Sequence, residues 1–171
     1  CIARLNLGIV HLNLDNFKIA KKHIEKAAPG FLALHEYRRA LRAYTKLGQV
    51  YSGLYDYTGC LLYFEKAREL AVKQNDAYEY SILIRQKAEL FDRMHAFQLA
   101  YKYYSEALDI ARDNQYHGQI MELELSLLGL QIRQGNCEQS RPHMQRIIRS
   151  SPGMRPKLRA YWLSEIADSY K

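Results

Sequence analysis

The residues of this chain that could do chemistry are six histidines, three cysteines and eighteen carboxylates, and their spacing argues against an active site. His11, His23, His35, His95, His117 and His143 fall in no His-Glu-x-x-His pattern, and none lies near a cysteine at ligand spacing. No metal and no cofactor is therefore expected. Cys1, Cys60 and Cys137 are odd in number and far apart, which fits neither a zinc or redox motif nor a disulfide scaffold. Cys60 and Cys137 fall at packing positions and read as buried, inert thiols. The glycines are isolated, so no phosphate-cradling loop forms. The carboxylates alternate with bases, as in Glu65-Lys66 and Glu69 with Lys73, which is the texture of a solvated helix face. No catalytic residue is expected, and the chain is not read as an enzyme.

Charge narrows the partners only slightly. Twenty-five Lys and Arg against 18 Asp and Glu give +7, a mild preference for acidic partners. Arg141, Arg146, Arg149, Arg155, Lys157 and Arg159 form a basic run without an intervening acid. Such runs can mark nucleic-acid surfaces, but aromatic interleaving is missing, so a solvated outer face is the preferred reading. No apolar stretch is long enough to span a membrane. Three unpaired cysteines lean toward a reducing cytoplasm. The start at Cys1, with residues 2–12 already helical in pattern, leads us to expect a piece of a longer array.

The elements that hold these residues repeat. Sliding the sequence on itself aligns it at one offset, the step that carries Ala20 onto Cys60, Ala100 and Ser140. These four form a small-residue column. Ile24, Phe64, Tyr104 and Met144 follow four residues later, and Ala27, Ala67, Ala107 and Ile147 three beyond those. Leu7-Gly8, Leu47-Gly48, Lys87-Ala88 and Leu127-Leu128 share a column, as do His11, Tyr51, Phe91 and Gln131. Apolar spacing of three to four predicts helices over 2–13, 16–28, 33–53, 56–74, 77–94, 96–113, 117–134, 136–150 and 155–171. Pro29-Gly30 and Ser151-Pro152-Gly153 are read as stops, and Pro142 as a kink or delayed start. Short turns make neighbouring helices antiparallel. Gly8, Ala20, Gly48 and Ala100 should let the helices of a unit approach closely, with Tyr51, Phe64, Phe91 and Tyr104 filling the space between units. The expected fold is an all-α, right-handed superhelix of four helix pairs plus a terminal helix. It forms one domain over 1–171, with units 1–40, 41–80, 81–120 and 121–160 and a partial fifth at 161–171.

The columns Leu47, Gly48, Tyr51, Cys60, Phe64 and Ala67 resemble the tetratricopeptide (TPR) pattern of Leu, Gly, Tyr, Ala, aromatic and Ala. Leu7, Gly8, Ala20 and Ala27 match it in the first unit, and Phe91, Ala100, Tyr104 and Ala107 in the third. The units depart from it in being longer than the usual repeat of about 34 residues. The additional residues should lengthen helices near the unit junctions. The aromatic expected near the start of each unit is replaced by Arg4, Tyr44, Ile84 and Glu124. Elongated units of this kind are similar to those of bacterial signalling and regulatory proteins.

The resemblance implies that the first helix of each unit lines a concave groove that binds a protein or peptide segment. Carried over by position, the groove residues are Arg42, Lys46, Gln49, Arg85, Glu89, Arg93 and Arg133. Thr45, Ser52, Ile82, Gln86, Glu122, Leu125 and Ser126 lie beside them, and Asn6, Asn13, Leu5, Ile9 and Leu12 come from the first unit. The mix favours a ligand carrying carboxylates, because arginine forks match them in two-point contacts. The family's clamp for a C-terminal carboxylate expects Lys and Asn in the first unit. Leu5 and Ile9 stand there instead and argue against it. The alternative function is a sensory domain controlling an attached output domain, either a transcription regulator or a nucleotide-cyclising signalling module. Open solenoid ends would also permit self-association.

Overall fold

The amphipathic spacing does produce helices, and a shared length organises them. The computed structural model describes residues 1–135 and, beyond them, positions 140 and 145. Seven helices run in order among the described residues: α1 (Ile2–Asn13), α2 (Phe17–Ala33), α3 (Tyr37–Gly53), α4 (Tyr57–Lys73), α5 (Ala77–Arg93), α6 (Phe97–Asp113) and α7 (His117–Arg133). The helices expected at 136–150 and 155–171, with Pro142 and the basic run, lie outside the described residues. Ser140 is buried, as its small-residue column requires.

From α2 onward each helix is 17 residues long, and three residues link it to the next. The middle link residue is left-handed every time: Asp15, His35, Tyr55, Asn75, His95 and Gln115 have φ between 50° and 60°. That turn lets two amides fold back onto the helix end. At the first link, Asp15 N–H donates to the Leu12 carbonyl at 3.0 Å and Asn16 N–H to the His11 carbonyl at 2.8 Å. The same pair recurs at the other five links, so the backbone repeats with every helix and its link, at half the period legible in the side chains.

One expectation is corrected here. Pro29-Gly30 does not stop α2, which runs on to Ala33. Phe31, fully buried, would leave the core if the helix ended earlier, whereas Pro29 faces solvent, where the carbonyl it leaves unbonded can meet water. The additional residues fall between Ala27 and Leu47 and between Ala67 and Lys87, where they lengthen the end of one unit's second helix and the start of the next unit's first.

Sequential helices pack antiparallel, and α1 touches α3 as α3 touches α5. No two even-numbered helices come as close among the described residues, so the odd helices form the inner wall of the stack. Within each pair the small column does what its spacing predicted. A methyl on Gly48 would overlap the ring of Phe64, and one on Gly8 would overlap Ile24. Phe64 and Ile24 are essentially fully buried, and burial of each such side chain is worth roughly 1.5–3 kcal/mol. The aromatic columns fill the space within pairs and not only between units. Tyr51 packs on Tyr63 at 5.0 Å and Phe91 on Tyr103 at 5.4 Å, and His11 stacks on His23 at 5.9 Å in the same column.

This packing sets a sign. Alanine in place of a helical glycine gains up to about 1 kcal/mol where space is open. Gly48→Ala should instead lose about 1–3 kcal/mol, because the buried Phe64 ring cannot withdraw. Gly118→Ala, which meets nothing within 4 Å, should be neutral or stabilising. Urea unfolding of both variants checks the pair, and a stabilised Gly48→Ala would contradict the close approach.

Candidate functional site: the inner wall

On α3 the residues Arg42, Lys46 and Gln49 recur at four and three, which places them on one helix face. Arg85, Glu89 and Arg93, spaced four and four, share a face of α5 in the same way. The constant helix-and-link step of the backbone brings these faces into register, and polar groups then bridge the odd helices. Arg93 donates to Ser52 Oγ at 3.3 Å, and Arg133 pairs with Asp92, each reaching back to the preceding odd helix. Arg42 Nε lies 3.7 Å from Glu79, and Arg38 Nε lies 3.0 Å from Asp76. Arg85 pairs with Glu89 along its own helix. Lys46 Nζ donates to Gln49 Oε1 at 3.0 Å.

A cleft of about 320 Å³ opens where α3 and α5 meet the α1–α2 turn. It gathers four of the sequence-predicted residues, Lys46, Gln49, Glu89 and Arg93, with Ser52 and Gln86 beside them. Asn13 and Asp15 add polar groups from the turn, while Leu12, Phe17, Phe64 and Leu90 supply apolar wall. Gln86 is only 5% exposed, and its Oε1 has no hydrogen-bond partner among the described residues. An unsatisfied buried carbonyl costs roughly 1–3 kcal/mol, so a group that reached it would be favoured.

The other predicted residues are placed differently. Arg42 belongs to a second cleft of about 650 Å³ with Arg38, Arg39, Tyr78 and Glu79. Arg85 and Arg133 line neither cleft, and their charges are already neutralised. Thr45 and Leu125 are buried and unavailable to a ligand; Thr45 Oγ1 donates to the Leu41 carbonyl at 3.0 Å. Sequence reasoning missed Asp76 and Glu79. Their spacing marks a helix start, and Asp76 Oδ1 does accept from Glu79 N–H at 3.1 Å. The available signal was the matching pair Arg38 and Arg42, four positions apart on the preceding odd helix.

Burial tunes three groups. Lys46 is half-buried, and this, reinforced by Arg42 and Arg85 beside it, lowers its pKa against the opposing pull of Glu79 and Glu89. Glu79 is shifted upward, chiefly by burial and in part by Asp76, with Arg42 opposing. Burial pushes the Cys60 thiol up to about 12, which keeps it protonated and unreactive, as its packing column indicated. Among the described residues no cluster of three or more His, Cys, Asp or Glu gathers as a metal site, and no helix is long and apolar enough to cross a membrane.

No family model and no curated protein matches the sequence. Solved structures do match. A Rap protein complexed with competence and sporulation factor is similar over 98% of this chain and 50% of its own, with TM-score 0.82 and 13% identity. Kinesin light chain TPR-like repeats from Podosopora anserina are similar over 98% of this chain and 84% of theirs, with TM-score 0.73 and 12% identity. BtubC from P. vanneervenii is similar over 96% of this chain and 69% of its own, with TM-score 0.77 and 14% identity. The fold is thus a TPR-like helical solenoid. The chain spans about half the length of the Rap proteins it matches.

Glu79 generates a pH prediction. Its folded pKa lies above the ordinary 4.5, so the native state holds the proton longer than the unfolded chain. Stability should therefore fall as pH rises from the ordinary carboxylate range through the folded pKa. Glu79→Gln, the residue type that Gln119 supplies one unit on, should be more stable than the parent at about pH 7 and equal at about pH 3. Denaturant unfolding at the two pH values checks this, and a destabilised variant at neutral pH would contradict it.

Proposed function

We propose that the chain is a protein-interaction module that takes a protein segment along its inner wall, with the cleft between α3, α5 and the α1–α2 turn as its anchor. The observation that carries this reading is the cleft itself, which gathers Lys46, Gln49, Glu89 and Arg93 from two odd helices and has in its wall Gln86, whose buried oxygen has no hydrogen-bond partner among the described residues. A side-chain amide offers a donor and an acceptor side by side, which match the N–H and C=O of a main chain. A segment in extended conformation has both groups free, whereas a helix has used them internally. The Rap protein of the same fold is complexed with a factor, which supports a binding role for such a scaffold. Binding rather than catalysis also agrees with the protonated, packed Cys60. Control of an attached output domain would be a use of this same wall, with occupancy as the signal.

The test separates the inner wall from the outer surface. The 171-residue chain is presented to random dodecapeptide libraries, and the selected peptides are measured against two variants. Gln49→Trp fills the cleft, while Leu62→Trp alters the exposed face of α4. Gln49→Trp should weaken binding at least about tenfold, a loss of about 1.4 kcal/mol, and Leu62→Trp should leave it unchanged. Failure to select any peptide, or loss of binding through Leu62→Trp alone, would overturn the assignment.

A further inference from the structure

The inner wall carries five predicted bases, and they are not equivalent. Arg42, Arg85 and Arg133 each have a carboxylate of the wall as partner. Lys46 and Arg93 have none among the described residues, and their hydrogen-bond partners there are the neutral Gln49 and Ser52. Both line the same cleft, together with Gln86 and its unpartnered oxygen. Two acids also reach this cleft. Glu89 is neutralised by Arg85, and Asp15 lies on the exposed α1–α2 turn.

From these positions we infer that Lys46 and Arg93 form the subsite for a carboxylate of the bound segment, on the α3–α5 side of the cleft and away from Asp15. This rests on the inner-wall reading given above and adds the chemistry of the ligand. A carboxylate is the group that fits. It can accept from the Lys46 ammonium and the Arg93 guanidinium together, and hydrogen bonds to charged groups are about twice as strong as neutral ones. It would also replace partners that each base now holds weakly, since Gln49 and Ser52 bring no charge. Lys46 gains most, because burial and two neighbouring arginines disfavour its charged form more than Glu79 and Glu89 favour it. The carboxylate can come from an internal Asp or Glu or from the C-terminus of the segment. The apolar wall of Leu12, Phe17, Phe64 and Leu90 asks for an apolar residue next to it.

The experiment uses two random dodecapeptide libraries, one with the C-terminus blocked by fusion and one with it free. An internal acid predicts enrichment of Asp and Glu over the input in both libraries, while a C-terminal carboxylate predicts selection only from the free-ended one. Either pattern supports the subsite. Lys46→Met and Arg93→Met keep much of each aliphatic stem, and each should weaken the selected peptides about tenfold. Lys46→Arg should retain binding, and Asp15→Asn should strengthen it. Thermal unfolding confirms that each variant remains folded. Peptides that bind, are blocked by Gln49→Trp and yet show no acid enrichment and no loss with Lys46→Met would overturn the carboxylate subsite while leaving the inner-wall reading intact. Absence of selected peptides would remove both.

Discussion

Everything that this stack can present to a partner depends on how each helix stops. Six link residues, none of them glycine, adopt the left-handed conformation that side chains disfavour by roughly 1–2 kcal/mol. Two backbone hydrogen bonds at each link and the packed face of the next helix hold them there. Because the turn and the helix length are the same at every link from α2 onward, the rotation carried from one helix to the next is constant. Arg93 and Arg133, equivalent positions of successive units, therefore reach equivalent positions on the preceding odd helix, Ser52 and Asp92. The stack needs no special residue to align its inner wall. It needs only that no link gain or lose a residue.

The consequences appear as recurring contacts between unlike side chains. A ring pair joins the two helices of each of the first three units, made of two histidines in the first, two tyrosines in the second and Phe91 with Tyr103 in the third. Arg93 and Arg133 reach across units by the same step, one to a hydroxyl and the other to a carboxylate. The backbone fixes where a group stands, and the side chain decides what it does there. This is why three of the wall bases are neutralised from within and two are left facing a cleft.

Much of this was legible in the residues. Apolar spacing gave the helices, and the small-residue column at Gly8 and Gly48 gave the close approach that Ile24 and Phe64 now fill. The turn at His35 was harder to read, because His35 carries no turn signal, falls inside the helix expected over 33–53, and adopts the left-handed region for the sake of the backbone bonds it completes. Pro29 carried a strong signal and was overridden by the burial of Phe31. At the site, helix spacing placed Lys46, Gln49, Glu89 and Arg93 on neighbouring faces. It could not show that Glu79 takes Arg42 out of play, because that pairing joins side chains of two different helices, α3 and α5. Nor could it single out Gln86, whose importance lies in an oxygen without a partner among the described residues rather than in its type.

The central claim is that one left-handed link, repeated after every helix, aligns the inner wall. It is tested most directly by the backbone φ at Asp15, His35, Tyr55, Asn75, His95 and Gln115, read by NMR from the intraresidue HN–Hα distance and the Cα shifts of the labelled chain. The account predicts positive φ at all six positions, with the preceding helices intact. A negative φ at any of these links would break the constant step and contradict the alignment on which the candidate site depends.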